Sequence, residues 1–566
     1  MQSRNPNFEP YFANAGEYTP AIEAYMHKLK AEQVVERIWQ HDHTVWKPRP
    51  EEISNRLGWL HSVDTMRPAL GEIEAFVQDI RAAGFTRVLL LGMGGSSLAP
   101  EVYRKVFGVA DGFPEFAILD STDPAAVLAA EQAFPPQTTL YIVSTKSGGT
   151  VETLSFFKYF YTRAQEQLGA GVAGRHFVAI TDPGSGLEKM AEEYGFRKIF
   201  RNDPDIGGRY SALSFFGLVP AALVGIDVRK LLDRAADMVS ACRQNEENPG
   251  VWLGAILGQL ALRGRDKLTL ITSPGMQPIG AWIEQLIAES TGKEGKGILP
   301  VDGEAQGTPD VYGPDRLFAA IRLGTEPLDD DWLAALGDAG HPDLEIILED
   351  VYDLGAEFFR WEFATIIASH ALQINPFDQP NVESAKVQAR KVVAEFQERG
   401  ALPQPEPTAT TGNCAIYFDR PAATLDEAID ALLQQGEGGR SYLAIQAYLP
   451  PQQEISARLQ AVQKTLRDRS GLATTLGFGP RFLHSTGQLH KGDAGQGLFL
   501  IITADAEQDA GIPDEPGSTH AAMSFQTLKM AQALGDRQAL LDAGRHVLWI
   551  HCTEIGAGLA ELENAG

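Results

Sequence analysis

Cysteine is scarce in this sequence. Its 566 residues contain three cysteines, Cys242, Cys414 and Cys552, which lie far apart and form neither a C-x-x-C pair nor a cluster with histidine. Neither a disulfide framework nor a zinc site is therefore predicted, and the usage fits a protein of the reducing cytoplasm. We expect no metal and no other cofactor.

Long apolar runs and an apolar leader are also lacking. The longest apolar stretch, residues 215–226, is shorter than the roughly 20 residues that a membrane helix needs. The first residues, MQSRNPNFEPYF, lack the basic start and apolar core of a secretory signal. We therefore expect a cytoplasmic protein with no membrane partner.

Basic residues are fewer than acidic residues. The chain has 48 Lys and Arg against 74 Asp and Glu, a net charge of −26, with no basic patch along the sequence. Such a surface repels polyanions, so nucleic acid is not expected as a partner.

What is present is the composition of a globular protein, with 44% apolar and 22% charged residues. At about 150 residues per domain, the length corresponds to three or four domains. Short apolar runs such as RVLLLG, TLYIVST and HFVAIT alternate with helix-length segments, which predicts an α/β fold with doubly wound parallel sheets. The predicted parts are a helical segment 1–61, α/β domains at 62–243 and 244–400, and a smaller C-terminal α/β domain at 401–566 after the Pro-rich break ALPQPEPTATTG.

Two glycine-rich turns follow predicted strands. The first is GMGGSS (92–97) and the second TKSGGT (145–150), each before a predicted helix. Backbone N–H groups and hydroxyls at a helix start suit a phosphate group. A structural tight turn is the alternative for the first; a dinucleotide fingerprint would need glycine at position 97, which is Ser97.

Three further segments carry polar side chains that suit a ligand. DIGGRYS holds Arg209 after two glycines, WIEQLIAESTGK holds Gln285 and Glu289 one helical turn apart, and NPFDQPNVESAK holds Gln379 and Lys386. A desolvated glutamate can act as a general base. A surface ion pair, a solvent-facing glutamate and a capped helix start remain the structural alternatives.

Together the five motifs resemble those of the glucose-6-phosphate isomerase family of the SIS superfamily. GMGGSSLAP, STKSGGTVET, GGRYS, EQLIAESTGK and NPFDQPNVESAK occur in the family's order between about residues 87 and 390. The sequence is most similar to the isomerase portion that some bacteria fuse to transaldolase. The resemblance implies two SIS-type domains, a sugar phosphate as the small-molecule partner, and a possible homodimer.

The resemblance also implies the roles of individual residues. Glu289 would be the base that moves a proton between C1 and C2 through a cis-enediol(ate), and Arg209 would stabilise its charge. Lys386 would assist ring opening or hold the phosphate. Sugar hydroxyls would contact Gln285 and Gln379, and the phosphate site would comprise Gly95, Ser96, Thr145, Lys146, Ser147, Thr150 and Gly208.

One departure concerns the family's ring-opening histidine, which precedes the FDQ motif. Here the corresponding interval, GEAQGTPDVYGPDRLF, has no histidine, but LHSTGQLHKG at 483–492 resembles the family's histidine motif. We therefore expect that the C-terminal domain partly duplicates the second isomerase domain and returns His484 to the site. His370, within a predicted core helix, is the weaker candidate.

The predicted function is interconversion of glucose 6-phosphate and fructose 6-phosphate. Activity on mannose 6-phosphate as well is one alternative, because the sequence does not show the contacts that read C2. A non-catalytic sugar-phosphate sensor is a second alternative, and a nicotinamide-dependent dehydrogenase, suggested by the first glycine turn alone, is a third.

Overall fold

A computed structural model describes residues 11–403 and 405–565, and three large sheets succeed one another along this chain. The N-terminal segment is mostly helical, as predicted, with α-helices at Thr19–Ala31 and Val34–Trp39. An unpredicted strand, Tyr11–Asn14, joins the edge of the second sheet in antiparallel orientation. None of the helices in the described ranges is long and apolar enough to cross a membrane.

The first sheet is entirely parallel. Across the sheet its strands are Glu115–Leu119, Arg87–Gly92, Thr139–Ser144, Phe177–Thr181 and Lys198–Arg201. The strand Thr139–Ser144 is buried along its whole length, as expected for a parallel strand that helices cover on both faces. The helices of this part are Ser62–Ala82, Leu98–Phe107, Pro124–Ala133, Val151–Leu168, Ala170–Ala173, Gly186–Glu193, Phe215–Leu223 and Val228–Cys242.

The second sheet has four parallel strands and the antiparallel N-terminal strand at its edge. Across the sheet the order is Tyr11–Asn14, Asp343–Leu348, Arg316–Leu323, Lys267–Thr272 and Leu299–Val301. Its helices are Pro249–Ala261, Ile279–Thr291, Asp330–Asp338, Leu354–Leu372 and Val382–Arg399. Gly254 lets the first of these helices approach the fourth, since an added Cβ would lie 2.4 Å from the Ala364 carbonyl oxygen.

The third sheet has six strands, and the sequence analysis missed three of them, Ala409–Thr410, Cys414–Tyr417 and Ala473–Phe478. Across the sheet the order is Ala409–Thr410, Cys414–Tyr417, His546–Cys552, Gly497–Ala504, Tyr442–Tyr448 and Ala473–Phe478. The helices here are Leu425–Leu433, Gln453–Ser470, Gly487–Gly492, Phe525–Asp542 and Ile555–Ala565. The prediction of an α/β fold with parallel sheets is confirmed, while the domain boundaries stay predictions.

The second and third sheets share one topology. In each, the first parallel strand pairs with the second on one side and with the third on the other, and the fourth lies beyond the third. An antiparallel strand then flanks the fourth in both sheets. We call the parts of the chain that form the three large sheets the first, second and third units. The shared strand order is what duplication of the second unit would produce.

An acidic cluster lies where the three units meet. Glu284, Asp302 and Asp120 line a cavity of about 210 Å³ together with Arg481. Arg481 Nε lies 3.4 Å from Asp120 Oδ2. Burial, with the neighbouring Asp302 charge, raises the pKa of Glu284 to about 7, and burial raises the pKa of Asp302 to about 6. These carboxyl groups therefore hold protons more tightly in the folded protein than in the unfolded chain.

We expect Glu284→Gln to change how stability depends on pH. Because the folded-state pKa of Glu284 is raised, ionisation of this carboxyl group lowers the free energy of unfolding as pH rises from about 4 through 7. The amide should therefore have little effect at pH 5. At pH 8 it should raise the free energy of unfolding by on the order of 1 kcal/mol, because the side chain is only partly buried. Chemical denaturation at both pH values measures this; an equal effect at both, like that expected of the exposed control Glu23→Gln, would contradict it.

Candidate active site

Two loops at the carboxyl ends of neighbouring strands of the first sheet form one wall of the site. They follow Arg87–Gly92 and Thr139–Ser144, between which the strand order reverses. Open α/β sheets bind ligands at such a reversal. In the first loop Gly95 touches the GGRYS segment so closely that an added Cβ would lie 2.0 Å from the Gly208 carbonyl oxygen. The structure therefore brings three of the predicted motifs together.

The second loop leads into the 18-residue helix Val151–Leu168, with Thr150 as its N-cap. Thr145 Oγ1 and Thr150 Oγ1 are 3.0 Å apart. Ser147, Gly149 and Thr150 line a cavity of about 370 Å³, here called the anion cavity. A helix N-terminus carries partial positive charge and unpaired N–H groups, so this end of the cavity suits an anion.

Lysine side chains complete that wall unevenly. Lys386 and Lys491 line the anion cavity. Lys146, predicted to bind phosphate, instead donates to the Asp182 carboxylate and, at 2.7 Å, to the Pro204 carbonyl oxygen. Because Lys146 is engaged there, the cationic side of the cavity comes from Lys386 and Lys491, on helices of the second and third units.

Ser96, also predicted to bind phosphate, belongs to the first loop. The Ser144 hydroxyl donates to its carbonyl oxygen at 3.3 Å.

Glu289 is held by two side chains near the end of the helix Ile279–Thr291. Arg209 Nη1 lies 3.3 Å from Glu289 Oε1, and Gln285 Nε2 donates to Glu289 Oε2 at 3.2 Å. The Arg209 side chain is 3% exposed and that of Glu289 10%. Both carboxylate oxygens are therefore oriented, and the charge is balanced in a largely buried setting.

Arg209 also joins this helix to the FDQ segment. It donates to Ser290 Oγ at 2.8 Å, to Gln379 Oε1 at 2.8 Å and to the Pro376 carbonyl oxygen at 2.6 Å. The next helix begins at Val382, so Gln379 precedes it while Lys386 lies within it. Gln379 reaches Arg209, whereas Lys386 reaches the anion cavity.

Lys293, which the sequence reasoning did not single out, fixes the same segment. Its ammonium group donates to Asp378 Oδ1 at 2.8 Å. Burial and the charge of Arg209 lower the pKa of Lys293 to about 8, while Asp378 opposes this shift. The GKEGKG run that supplies it therefore has a structural use beside Glu289.

The C-terminal unit brings His484 to this place. Gln285 Nε2 donates to the His484 carbonyl oxygen at 2.8 Å, so one amide bridges Glu289 and His484. His484 Nε2 lies 3.0 Å from Glu152 Oε1. Burial alone would raise the pKa of Glu152, but the His484 imidazole and its hydrogen bond hold that pKa below its usual value. His484 also lines the anion cavity.

Comparison with known proteins shows the family of this chain. Residues 63–304 match the family described as "Phosphoglucose isomerase". Glucose-6-phosphate isomerase of Rubrobacter xylanophilus is 31% identical over 358 residues, which cover 54% of this chain and 82% of that protein. The enzyme of the same name from Thermosynechococcus vestitus is 31% identical, over 57% of this chain and 70% of that protein. The chain belongs to the phosphoglucose isomerase family.

Two solved structures share the fold. A glucose-6-phosphate isomerase from Chlamydia trachomatis has a TM-score of 0.58 at 17% identity and covers 69% of this chain and 89% of its own. A hypothetical protein from Thermus thermophilus has a TM-score of 0.59 at 23% identity and covers 68% and 100%. The finer likeness to the isomerase portion of transaldolase fusions stays a prediction.

The matched family region includes both loops, Arg209 and Glu289, but ends before Gln379, Lys386 and His484. Glu152 lies inside it, and the sequence reasoning missed it although it belongs to the quoted motif STKSGGTVET. The signal was its place two residues after Thr150, on the first turn of the helix that bounds the anion cavity. His370, in contrast, bonds the Tyr25 hydroxyl at 2.7 Å, and burial lowers its pKa to about 4.

We expect Gly95→Ala to disrupt this candidate site. Its methyl group would collide with the Gly208 carbonyl oxygen, so the first loop and the GGRYS segment must separate, which should lower the free energy of unfolding by about 1–3 kcal/mol and weaken inorganic phosphate binding. Gly71→Ala is the matched control, since its methyl group meets nothing within 4 Å on an exposed helix face and should stabilise by roughly 0.5–1 kcal/mol. Chemical denaturation and calorimetric phosphate titration measure both; equal effects of the two substitutions would contradict the expectation.

Proposed function

We propose that the protein interconverts glucose 6-phosphate and fructose 6-phosphate. The observation that carries this proposal is the Gln285 amide, which links the Glu289 carboxylate to His484 at the edge of the anion cavity. A carboxylate base and a histidine beside a phosphate-sized anion site are the groups that aldose–ketose isomerisation requires. The relatives named glucose-6-phosphate isomerase support the same substrate pair.

The phosphate end of the sugar would lie in the anion cavity. Hydroxyls of Ser147 and Thr150 and the N-terminus of the helix Val151–Leu168 would donate to its oxygens. Lys386 makes no ion pair within the described parts of the chain, so its ammonium group is available to the phosphate or to the ring oxygen. With the phosphate group bound in the anion cavity, C1 and C2 of the sugar would lie near Gln285 and Glu289.

Ring opening would use His484. Glu152 accepts from Nε2, which leaves Nδ1 as the nitrogen that exchanges a proton with the sugar. The Glu152 side chain is only 5% exposed, so water does not compete for its hydrogen bond with His484. The Glu152 carboxylate would stabilise the imidazolium that forms when the nitrogen takes a proton.

Isomerisation would then use Glu289. Its carboxylate removes the proton from C2 of the open-chain aldose and returns it to C1, while the hydroxyl proton of O2 passes to O1, so that the carbonyl moves from C1 to C2 with no net loss of atoms. Arg209 would stabilise the negative oxygen of the enediolate between these steps. Gln285 Oε1 is buried and without a hydrogen-bond partner in the described structure, which leaves an acceptor for a sugar hydroxyl.

The decisive variant is Glu289→Gln. It keeps the size of the side chain and removes the base, so kcat should fall by about 10³-fold or more while KM changes little. Conversion of fructose 6-phosphate to glucose 6-phosphate in a coupled assay measures both constants. Glu294→Gln is the matched control, because Glu294 lies five residues further on at the surface, paired with Lys47.

Two outcomes would overturn the proposal. Full activity of Glu289→Gln would remove the assigned base. Wild-type protein that binds fructose 6-phosphate in calorimetry without converting it would favour the sensor alternative instead.

A further inference from the structure

We propose that Gln532, from the helix Phe525–Asp542 of the third unit, is a positioning residue that orients Glu152 and through it His484. The inference rests on the proposed function. It goes further because it gives the C-terminal unit a second contribution to the site besides the histidine.

The geometry fixes the Gln532 amide from both sides. Its Nε2 donates to Glu152 Oε1 at 2.7 Å, the same oxygen that lies 3.0 Å from His484 Nε2. Its Oε1 accepts from the Thr122 hydroxyl at 2.9 Å. Gln532 is 5% exposed, so water does not replace these bonds. The amide group therefore presents an N–H to Glu152.

The His484 imidazole and its hydrogen bond keep the Glu152 carboxyl group ionised. Gln532 would share Glu152 Oε1 with that imidazole, and the shared carboxylate oxygen holds the imidazole proton on Nε2. The free Nδ1 then faces the sugar. Gln532 would also weaken the hydrogen bond between Glu152 and His484, because two donors share the same carboxylate oxygen.

Other charged groups face this pair from neighbouring elements. Lys386 comes from the helix Val382–Arg399, and Lys491 from the helix Gly487–Gly492, where it pairs with Asp536 at 2.5 Å. Tyr448 lies at the end of the strand Tyr442–Tyr448, and burial, with the charges of Asp536 and Glu152, raises its pKa. These groups remain in place in a Gln532 variant, so a change in pH behaviour would report the lost amide.

Gln532 lies on a polar stripe that docks the third unit onto the first. Lys529, one turn earlier, pairs with Asp123 at 2.9 Å, and these side chains are 1% and 2% exposed. Lys529 contacts neither Glu152 nor His484 by a hydrogen bond in the described structure. It therefore separates a docking role from a positioning role.

The test is the pH profile of kcat/KM for Gln532→Met, which keeps the chain length and removes both hydrogen bonds. Without the amide, Glu152 becomes a stronger acceptor for the imidazolium, so the acid limb should move to higher pH by about half to one unit. The kcat value at neutral pH should fall about tenfold, as for the loss of one charge-assisted hydrogen bond, with KM changed less than threefold. Gln532→Glu should move the limb further, because a second carboxylate favours the imidazolium.

Lys529→Met is the control and should lower thermal stability without moving the acid limb. An unmoved limb in Gln532→Met, whatever its kcat, would overturn the proposal. If the wild-type protein shows no turnover, the proposed function fails instead, and the NMR titration of the His484 imidazole in Gln532→Met decides the positioning role on its own. An imidazole pKa equal to the wild-type value would then refute it.

The cysteine pair of the third sheet carries an independent inference. Cys414 and Cys552 stand directly opposite each other on antiparallel strands, with Sγ atoms 2.9 Å apart and side chains almost fully buried. Opposed residues of an antiparallel pair have the Cα separation that a disulfide needs. We infer that this pair is a redox-sensitive site, although the spacing along the sequence had argued against any disulfide.

The oxidant would be a small disulfide such as oxidised glutathione. The hydrogen bond from the Cys552 thiol lowers the pKa of Cys414, which makes Cys414 the attacking thiolate. It displaces one glutathione thiolate and forms a mixed disulfide; Cys552 then attacks and displaces the second. Two electrons and two protons leave with two molecules of glutathione.

Incubation with oxidised glutathione, followed by alkylation and intact mass measurement in denaturant, tests this. We expect the loss of two hydrogens, one alkylated cysteine at Cys242 and a linked peptide containing Cys414 and Cys552. Cys414→Ser should lose no hydrogens and gain alkylation at Cys552. Three alkylated cysteines in the wild-type protein, also after refolding in oxidised and reduced glutathione, would overturn the inference.

Discussion

The site depends on burying the ion pair between Arg209 and Glu289 without leaving either charge unsatisfied. Two charges removed from water lose several kcal/mol of hydration, which their attraction offsets only when other hydrogen bonds complete their shells. Here Ser290, Gln379 and the Pro376 carbonyl oxygen complete Arg209, and Gln285 completes Glu289. The end of one helix, the GGRYS segment and the FDQ segment are therefore held in one arrangement.

The third unit extends this arrangement. Its short helix Gly487–Gly492 packs against the end of the helix that carries Glu289, where Gln488 Nε2 donates to the Gly292 carbonyl oxygen at 2.9 Å. The same unit supplies His484 and Gln532 to Glu152 of the first unit. Since its sheet has the topology of the second sheet, a histidine that comes late in the chain can still arrive at the carboxyl end of the first sheet.

Local pattern was enough for much of the fold. The strand Arg87–Gly92 follows from an apolar run bounded by a charged residue and a glycine turn, and parallel pairing follows from the alternation with helices. The strand Cys414–Tyr417 was missed because its apolar run is only four residues long and follows the Pro-rich break directly. Besides the two-residue strand Ala409–Thr410, it pairs with a strand that comes over 130 residues later. Its existence depends on a partner that no local window contains.

The sequence by itself determined the α/β class, the two glycine-rich turns and most of the residue types of the site, because those depend on local periodicity and on motifs a few residues long. Only the tertiary structure decided which of these side chains meet. It turned Lys146 toward Asp182, placed Gln379 on Arg209 and brought Glu152 to His484 from 332 positions away. Such contacts depend on how sheets and helices pack in three dimensions, and spacing along the chain does not contain that information.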